Sequence, residues 1–83
     1  MSAPSPESLY EVLELAGVAH HNYQTEYLNG KNDDQWPGWY AAYTLGRLGD
    51  FITPTLLTRL LETAPMDADW SRSAANHIVH HLI

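Results

Sequence analysis

Apolar and aromatic side chains recur at helical intervals through the first third of the chain. Between residues 6 and 28 they fall on one side of a helical wheel, in a stripe made of Leu9, Val12, Leu13, Ala16, Ala19, His20, Tyr23 and Tyr27. The Ser-Pro-Glu sequence at 5–7 has the order of an N-cap, a first-turn proline and an early acid, and Asn29-Gly30 is a typical helix end. The pattern predicts a helix over 6–28 whose stripe faces the core.

The next segment, 36–48, is apolar almost all round its helical wheel, with large side chains at Trp36, Trp39, Tyr40, Tyr43, Leu45 and Leu48. Asp34 is placed to cap this helix, and Pro37 falls in its first turn, where a missing N–H costs nothing. A helix that is apolar on every side is normally buried by several neighbours. We therefore expect 36–48 to be the central element of the fold.

Two amphipathic segments complete the pattern. The segment 54–63 ends before Pro65 and carries a stripe made of Leu56, Leu57, Leu60 and Leu61. Asp67 is placed to cap a last helix over 68–82. No stretch alternates with period two, so the sequence predicts no strand. Together these patterns predict an all-α, compact bundle of about four helices in a single domain, 1–83.

The small size of the chain makes its core marginal. A chain of 83 residues buries a smaller fraction of its surface than a typical domain does, and it usually needs a disulfide, a metal or a second copy to be stable. There is no cysteine, which excludes disulfides and thiolate zinc sites. Self-association, most simply as a two-fold dimer, is therefore expected. Leu56, Leu60 and Trp70 are the predicted interface residues.

The charge balance narrows the choice of partners. Four Lys and Arg residues stand against ten acidic ones, for a formal net charge of −6. A chain this acidic has no basic surface for phosphates, so nucleic acid and anionic membranes are not expected as partners. The N-terminal residues lack the basic and apolar regions of a signal peptide, and no apolar run reaches the length of a membrane span. A cytoplasmic location is expected.

Histidines are the most conspicuous chemical feature, with five in the chain. His77 and His81 are one helical turn apart and could bind a divalent metal ion. No His-Glu-x-x-His or other complete metal motif is present, so the alternative is a pair that makes ordinary hydrogen bonds. His20 falls inside the first apolar stripe, where we expect it to be buried and hydrogen-bonded.

The densest group of large side chains lies between residues 36 and 43, and two interpretations compete for it. Aromatic side chains at helical spacing are usually core packing in a small domain. Rigid aromatics with polar tips can also line a pocket for a small planar or apolar ligand. The residues of this second hypothesis are His20, Tyr23, Trp36, Trp39 and Tyr43. No motif predicts a cofactor.

The order His20-x-x-Tyr23, then a polar loop, then Trp36-Pro37-x-Trp39-Tyr40-Ala41-x-Tyr43 resembles that of short, uncharacterised helical bacterial proteins. The similarity covers residues 16–48. It implies a helical fold and a fixed packing between the first two helices, and it implies no activity.

No nucleophile elbow or phosphate-binding loop occurs, and nothing identifies the partners that His20 would need as a general base. Enzymatic activity is not predicted. The sequence favours a small interaction or assembly module that self-associates or binds an unidentified protein. The alternative is a small-molecule or metal-binding domain that uses the aromatic group or the His77 and His81 pair.

Overall fold

Four α-helices form the part of the chain that the structure, a computed structural model, describes: residues 3–31 and 33–82. They are α1 (Pro6–Tyr27), α2 (Trp36–Leu48), α3 (Pro54–Thr63) and α4 (Trp70–Leu82). The described residues contain no strand, and the predicted all-α bundle is confirmed. No helix in these two stretches combines the length and the hydropathy that crossing a membrane requires.

The helices α1 and α3 begin as their sequences predict. The Ser5 side chain accepts a hydrogen bond from the Ser8 N–H, and the Thr53 side chain accepts one from the Leu56 N–H. At the other end of α1, Asn29 takes a positive φ of 53°, which ends the helix.

Helix α2 begins at Trp36, as predicted, but the predicted cap of α2 and the predicted start of α4 differ from the structure. Asp34 does not cap α2; the residue before it, Asp33, accepts the Gln35 N–H at 2.9 Å instead. Helix α4 begins at Trp70 rather than at residue 68. The Asp67 carboxylate accepts a hydrogen bond from the Asp69 N–H, which holds residues 67–69 in a turn before the helix.

The helices pack in a closed ring. Helix α2 packs on α1 and α3, α3 packs on α4, and α4 packs back on α1. Counted by backbone packing, α2 has two neighbours like every other helix, so the ring has no single central helix. Its side chains also reach α4, because Trp70 at the start of α4 packs on Trp36 and Tyr40. The outer face of α2 is exposed at Gly38, Ala42 and Gly46, which together carry a single methyl group and add little apolar area to the surface.

The core lies inside this ring and comes from all four helices. Its most completely buried large side chains are Leu9, Leu13, Leu57, Leu61, Ile78 and Thr44. Tyr27, which the first stripe placed in the core, is the last residue of α1 and is 72% exposed. The Cα radius of gyration is 12.3 Å, close to the roughly 12 Å expected for this length.

Two glycines give a matched pair of stability predictions. Gly46 lies within α2, and a Cβ added there meets nothing within 4 Å, so Gly46→Ala is expected to raise the free energy of unfolding by about 0.5–1 kcal/mol. Gly30 has a φ of +77°, so Gly30→Ala is expected to lower it. Chemical denaturation followed by circular dichroism measures both; a loss of stability in Gly46→Ala would contradict the exposed position of this helix face.

Candidate functional site

A buried histidine paired with an aspartate joins α1 to the start of α2. His20 is 7% exposed, as the stripe of α1 predicts, and its Nε2 lies 2.9 Å from Oδ2 of Asp33. The other Asp33 oxygen accepts the Gln35 N–H. The Asp33 side chain is itself only 12% exposed, so both partners are held between protein groups.

The charge state of Asp33 fixes the hydrogen on His20. The hydrogen bond from His20 lowers the pKa of Asp33 below its usual value of 3.8, although partial burial acts in the opposite direction. Asp33 is therefore ionised near neutral pH and can only accept hydrogen bonds. The Nε2 atom of His20 must carry the hydrogen that joins the two groups.

Aromatic rings surround His20 on the α2 side. Its ring centroid lies 5.0 Å from that of Trp39 and 5.3 Å from that of Tyr40. Tyr23, one turn further along α1, is 6.1 Å away. Burial raises the pKa of Tyr40, with a further contribution from Glu14, so its hydroxyl stays neutral.

The aromatic group extends to the first residue of α4. The Trp70 ring lies 5.5 Å from both Trp36 and Tyr40 and is nearly perpendicular to each, at 81° and 89°. This edge-to-face geometry is favourable for aromatic pairs. The Trp70 indole nitrogen is buried and has no hydrogen-bond partner among the described residues. Two sequence-distant segments thus build one aromatic wall.

A pocket of about 480 Å³ opens between this wall and the His20–Asp33 pair. Its volume falls within the usual range of small-molecule sites. The lining contains two carboxylates and no Lys or Arg, so its formal charge is negative whether His20 is neutral or protonated. The lining residues are His20, Gln24, Asp33, Asp34, Trp36, Tyr40, Met66 and Trp70.

The residues predicted for a ligand site divide into two groups. His20 and Trp36 line the pocket. Trp39 and Tyr43 stack on each other with a centroid distance of 5.5 Å and do not line it, and neither does Tyr23, which packs against Trp39. These three residues form an outer aromatic layer beside His20.

Sequence reasoning missed most of the lining. Asp33 could have been found, since an acid just before a helix start commonly bonds the first N–H groups. Trp70 and Met66 carried no such signal, because only the chain path brings the region before α4 to the start of α2.

His77 and His81 lie elsewhere. The His77 Nε2 is 3.0 Å from the Thr63 hydroxyl, and His81 is exposed. Within residues 3–31 and 33–82, no three His, Cys, Asp or Glu side chains are grouped so that they could hold a metal ion. The arrangement of His77 is the ordinary hydrogen bond that the sequence left as the alternative.

The predicted interface residues are packed within the chain. Leu60 is 8% exposed and belongs to the core, while Leu56 and Trp70 are half-buried against it. Large exposed hydrophobic side chains lie elsewhere, and two of them are neighbours on α1: Leu15 at 47% and Val18 at 65% exposure. Leu56 and Trp70 keep part of their surface exposed, so their contact with a second copy stays a prediction, whereas Leu60 has little surface left for one.

The described lining of the pocket combines a histidine–carboxylate pair with aromatic rings. A histidine held by a carboxylate is the base and its orienting group in many catalytic sites. Among the described residues that line the pocket, however, none is a Ser, Thr or Lys nucleophile. The groups present can bind a ligand through ring faces, hydrogen bonds and negative charge.

Similarity to known proteins adds nothing to this description. No family model matches the chain, and no curated protein or solved structure is detectably similar to it. The resemblance to short helical bacterial proteins is therefore not supported by any of these comparisons. The site has to be interpreted from its own geometry.

The lowered pKa of Asp33 predicts a pH dependence of stability. The ionised Asp33 stabilises the fold above its unfolded-state pKa, and this contribution is lost as the pH falls through the folded-state pKa, below about 3.8. Asp33→Asn removes the titration, so its Tm should fall less than that of the wild type between about pH 5 and pH 2. Thermal melts across this range measure the difference; parallel curves would show that the pair does not form.

Proposed function

We propose that the protein is a small-molecule-binding module whose site is the pocket between α1, α2 and the start of α4. One observation carries the proposal: the pocket of about 480 Å³ joins three aromatic side chains to a buried, hydrogen-bonded His20–Asp33 pair. A cleft that joins aromatic walls to a few fixed polar groups is a common form of ligand site.

The walls of the pocket support the proposal because they are held in place before any ligand arrives. Both oxygens of Asp33 accept hydrogen bonds. The Trp70 ring packs against Trp36 and Tyr40, and each of these rings is nearly perpendicular to it. Side chains that are already fixed lose little entropy on binding. The Trp70 ring also lines the cleft, and its buried indole N–H has no hydrogen-bond partner among the described residues.

The three tryptophans of the chain provide the test. A library of fragments of mixed charge is titrated into ¹⁵N-labelled protein, and the three indole N–H signals are followed. Trp36 and Trp70 line the pocket and Trp39 does not, so hits should shift the first two signals more than the third.

A pair of variants on α1 controls for binding elsewhere. Gln24→Phe is designed to fill the pocket and should abolish the shifts, whereas Asn22→Phe places the same ring at an exposed position outside it. Both variants are first checked for an unchanged circular dichroism spectrum. A library without hits at millimolar concentration, or hits that survive Gln24→Phe, would refute the proposal.

Self-association is the second candidate, and one observation favours it. Leu15 and Val18 are exposed neighbours on α1 and form an apolar strip with Tyr10. A second copy could cover this strip through a two-fold contact. Glu11 and Glu14 flank the same strip, and their repulsion across such a contact makes this the weaker candidate.

Light scattering at micromolar concentration tests self-association. A dimer gives twice the 9.4 kDa mass of the chain, and Val18→Glu should return it to the monomer mass. Thr25→Glu adds the same charge at another exposed position of α1 and should leave the dimer intact. A wild-type protein that stays at 9.4 kDa would rule out this candidate.

A further inference from the structure

We propose that the ligand of this pocket is an organic ammonium ion that carries an apolar or aromatic group. The inference rests on the proposed function and adds the chemical class of the ligand. It starts from the charges of the lining, where Asp33 and Asp34 face no Lys or Arg among the pocket residues.

The basic residues of the described chain are used or placed elsewhere. Arg72 pairs with Glu7 at 2.6 Å, and the Arg47 guanidinium lies 5.2 Å from the ring centre of Tyr43. Lys31 and Arg59 do not line the pocket. The two carboxylates therefore attract a cation from solution, and they repel an anionic ligand.

The aromatic wall supports an organic cation in particular. Trp36, Tyr40 and Trp70 bring three π systems to one cleft, and Trp is the side chain whose ring face attracts ammonium groups most strongly. A cation on such a wall gains both from the ring quadrupoles and from hydrogen bonds to a carboxylate.

The same lining does not suit an inorganic metal ion. The described residues offer no group of three ligating side chains. Both oxygens of Asp33 already accept hydrogen bonds, one from His20 and one from the Gln35 N–H. A pocket of about 480 Å³ is also far larger than a bare ion needs. The space fits an ammonium group together with its organic part.

The two carboxylates have different roles. Asp33 holds His20 and the start of α2, so it acts as a positioning residue as well as a charge. Asp34 is exposed at the pocket, and its side chain makes no hydrogen bond within the described chain. Asp34 is the carboxylate that is free to bind the ammonium group directly.

Three probes of nearly equal size test the ligand class: phenethylammonium, 2-phenylethanol and phenylacetate. Each is titrated into the full chain, and the Trp36 and Trp70 indole signals report binding. We expect the ammonium probe to bind about tenfold tighter than the alcohol, and phenylacetate to bind most weakly. Asp34→Asn should weaken the binding of the ammonium probe several-fold and leave the affinity for the alcohol unchanged. Asp50→Asn, at an exposed position outside the pocket, should change neither affinity.

The outcomes separate this inference from the proposed function. If the alcohol binds as tightly as the ammonium probe, or phenylacetate binds tightest, the pocket is a ligand site but the cationic class is wrong. An ammonium affinity that Asp34→Asn leaves unchanged contradicts the assigned role of Asp34. If none of the three probes binds, the ligand class is overturned, and the mixed fragment library decides the proposed function independently.

Discussion

Leu57→Ala is expected to lower the free energy of unfolding by about 2–5 kcal/mol. Leu57 is fully buried in α3 and packs in the core cluster that all four helices share. Removing its side chain loses the transfer free energy of the buried methyl groups and leaves a cavity. A domain of this length has a total stability of roughly 4–12 kcal/mol, so this one substitution removes a large part of it.

Leu15→Ala is the matched control for this prediction. It makes the same chemical change on α1, at a side chain that is 47% exposed, and should cost well under half as much. Urea denaturation followed by circular dichroism compares the two variants. Equal losses of stability would contradict the assignment of Leu57 to the core and of Leu15 to the surface.

Trp70→Ala is expected to lower the free energy of unfolding by about 3 kcal/mol and to abolish ligand binding. The Trp70 ring makes edge-to-face contacts with Trp36 and Tyr40, and it packs against the core from the start of α4. The variant removes one wall of the pocket together with these contacts. The fragment titration and urea denaturation measure the two effects.

Trp70→Phe separates the role of the ring from that of the indole nitrogen. Phenylalanine keeps an aromatic ring against Trp36 and removes a buried N–H that has no partner within the described part of the chain. We expect it to recover most of the stability that Trp70→Ala loses, because an unsatisfied buried donor contributes nothing favourable. If Trp70→Phe is as unstable as Trp70→Ala, then the contacts of an aromatic ring at position 70 do not account for the stability that Trp70 contributes.

The sequence predicts the helices well because local rules govern them. The cap at Ser5, the Thr-Pro start of α3 and the positive φ at Asn29 are all read from short runs of residues. The errors in the cap of α2 and in the start of α4 have the same local origin. In both places an aspartate bonds the N–H two residues ahead, at Gln35 and at Asp69, where the sequence led us to expect a helix cap.

The arrangement of the helices could not be read in the same way. Periodicity shows which face of a helix is apolar, and it does not show how many neighbours cover that face. Helix α2 was expected at the centre because it is apolar all round, yet glycine and alanine at 38, 42 and 46 can face water at little cost. Some of its aromatic residues form the pocket wall with Trp70. The others form the outer aromatic layer together with Tyr23 of α1.

Only part of the candidate site could be predicted, because its lining depends on how the helices are arranged. The position of His20 in the α1 stripe predicted its burial, and its nearness to the α2 aromatics was anticipated. The contributions of Trp70 and Met66 depend on how the connection between α3 and α4 returns to the start of α2. No local pattern encodes that path, so nothing in the sequence placed Trp70 at the pocket.

Both proposals about ligand binding depend on Trp70 lying against Trp36 and Tyr40, far from it in sequence. Nuclear Overhauser spectroscopy on the unliganded protein measures this directly through the ring protons. With centroids 5.5 Å apart, Trp70 should give cross-peaks to both Trp36 and Tyr40. Cross-peaks from Trp70 to α4 and its adjoining loop alone would mean that this pocket does not exist.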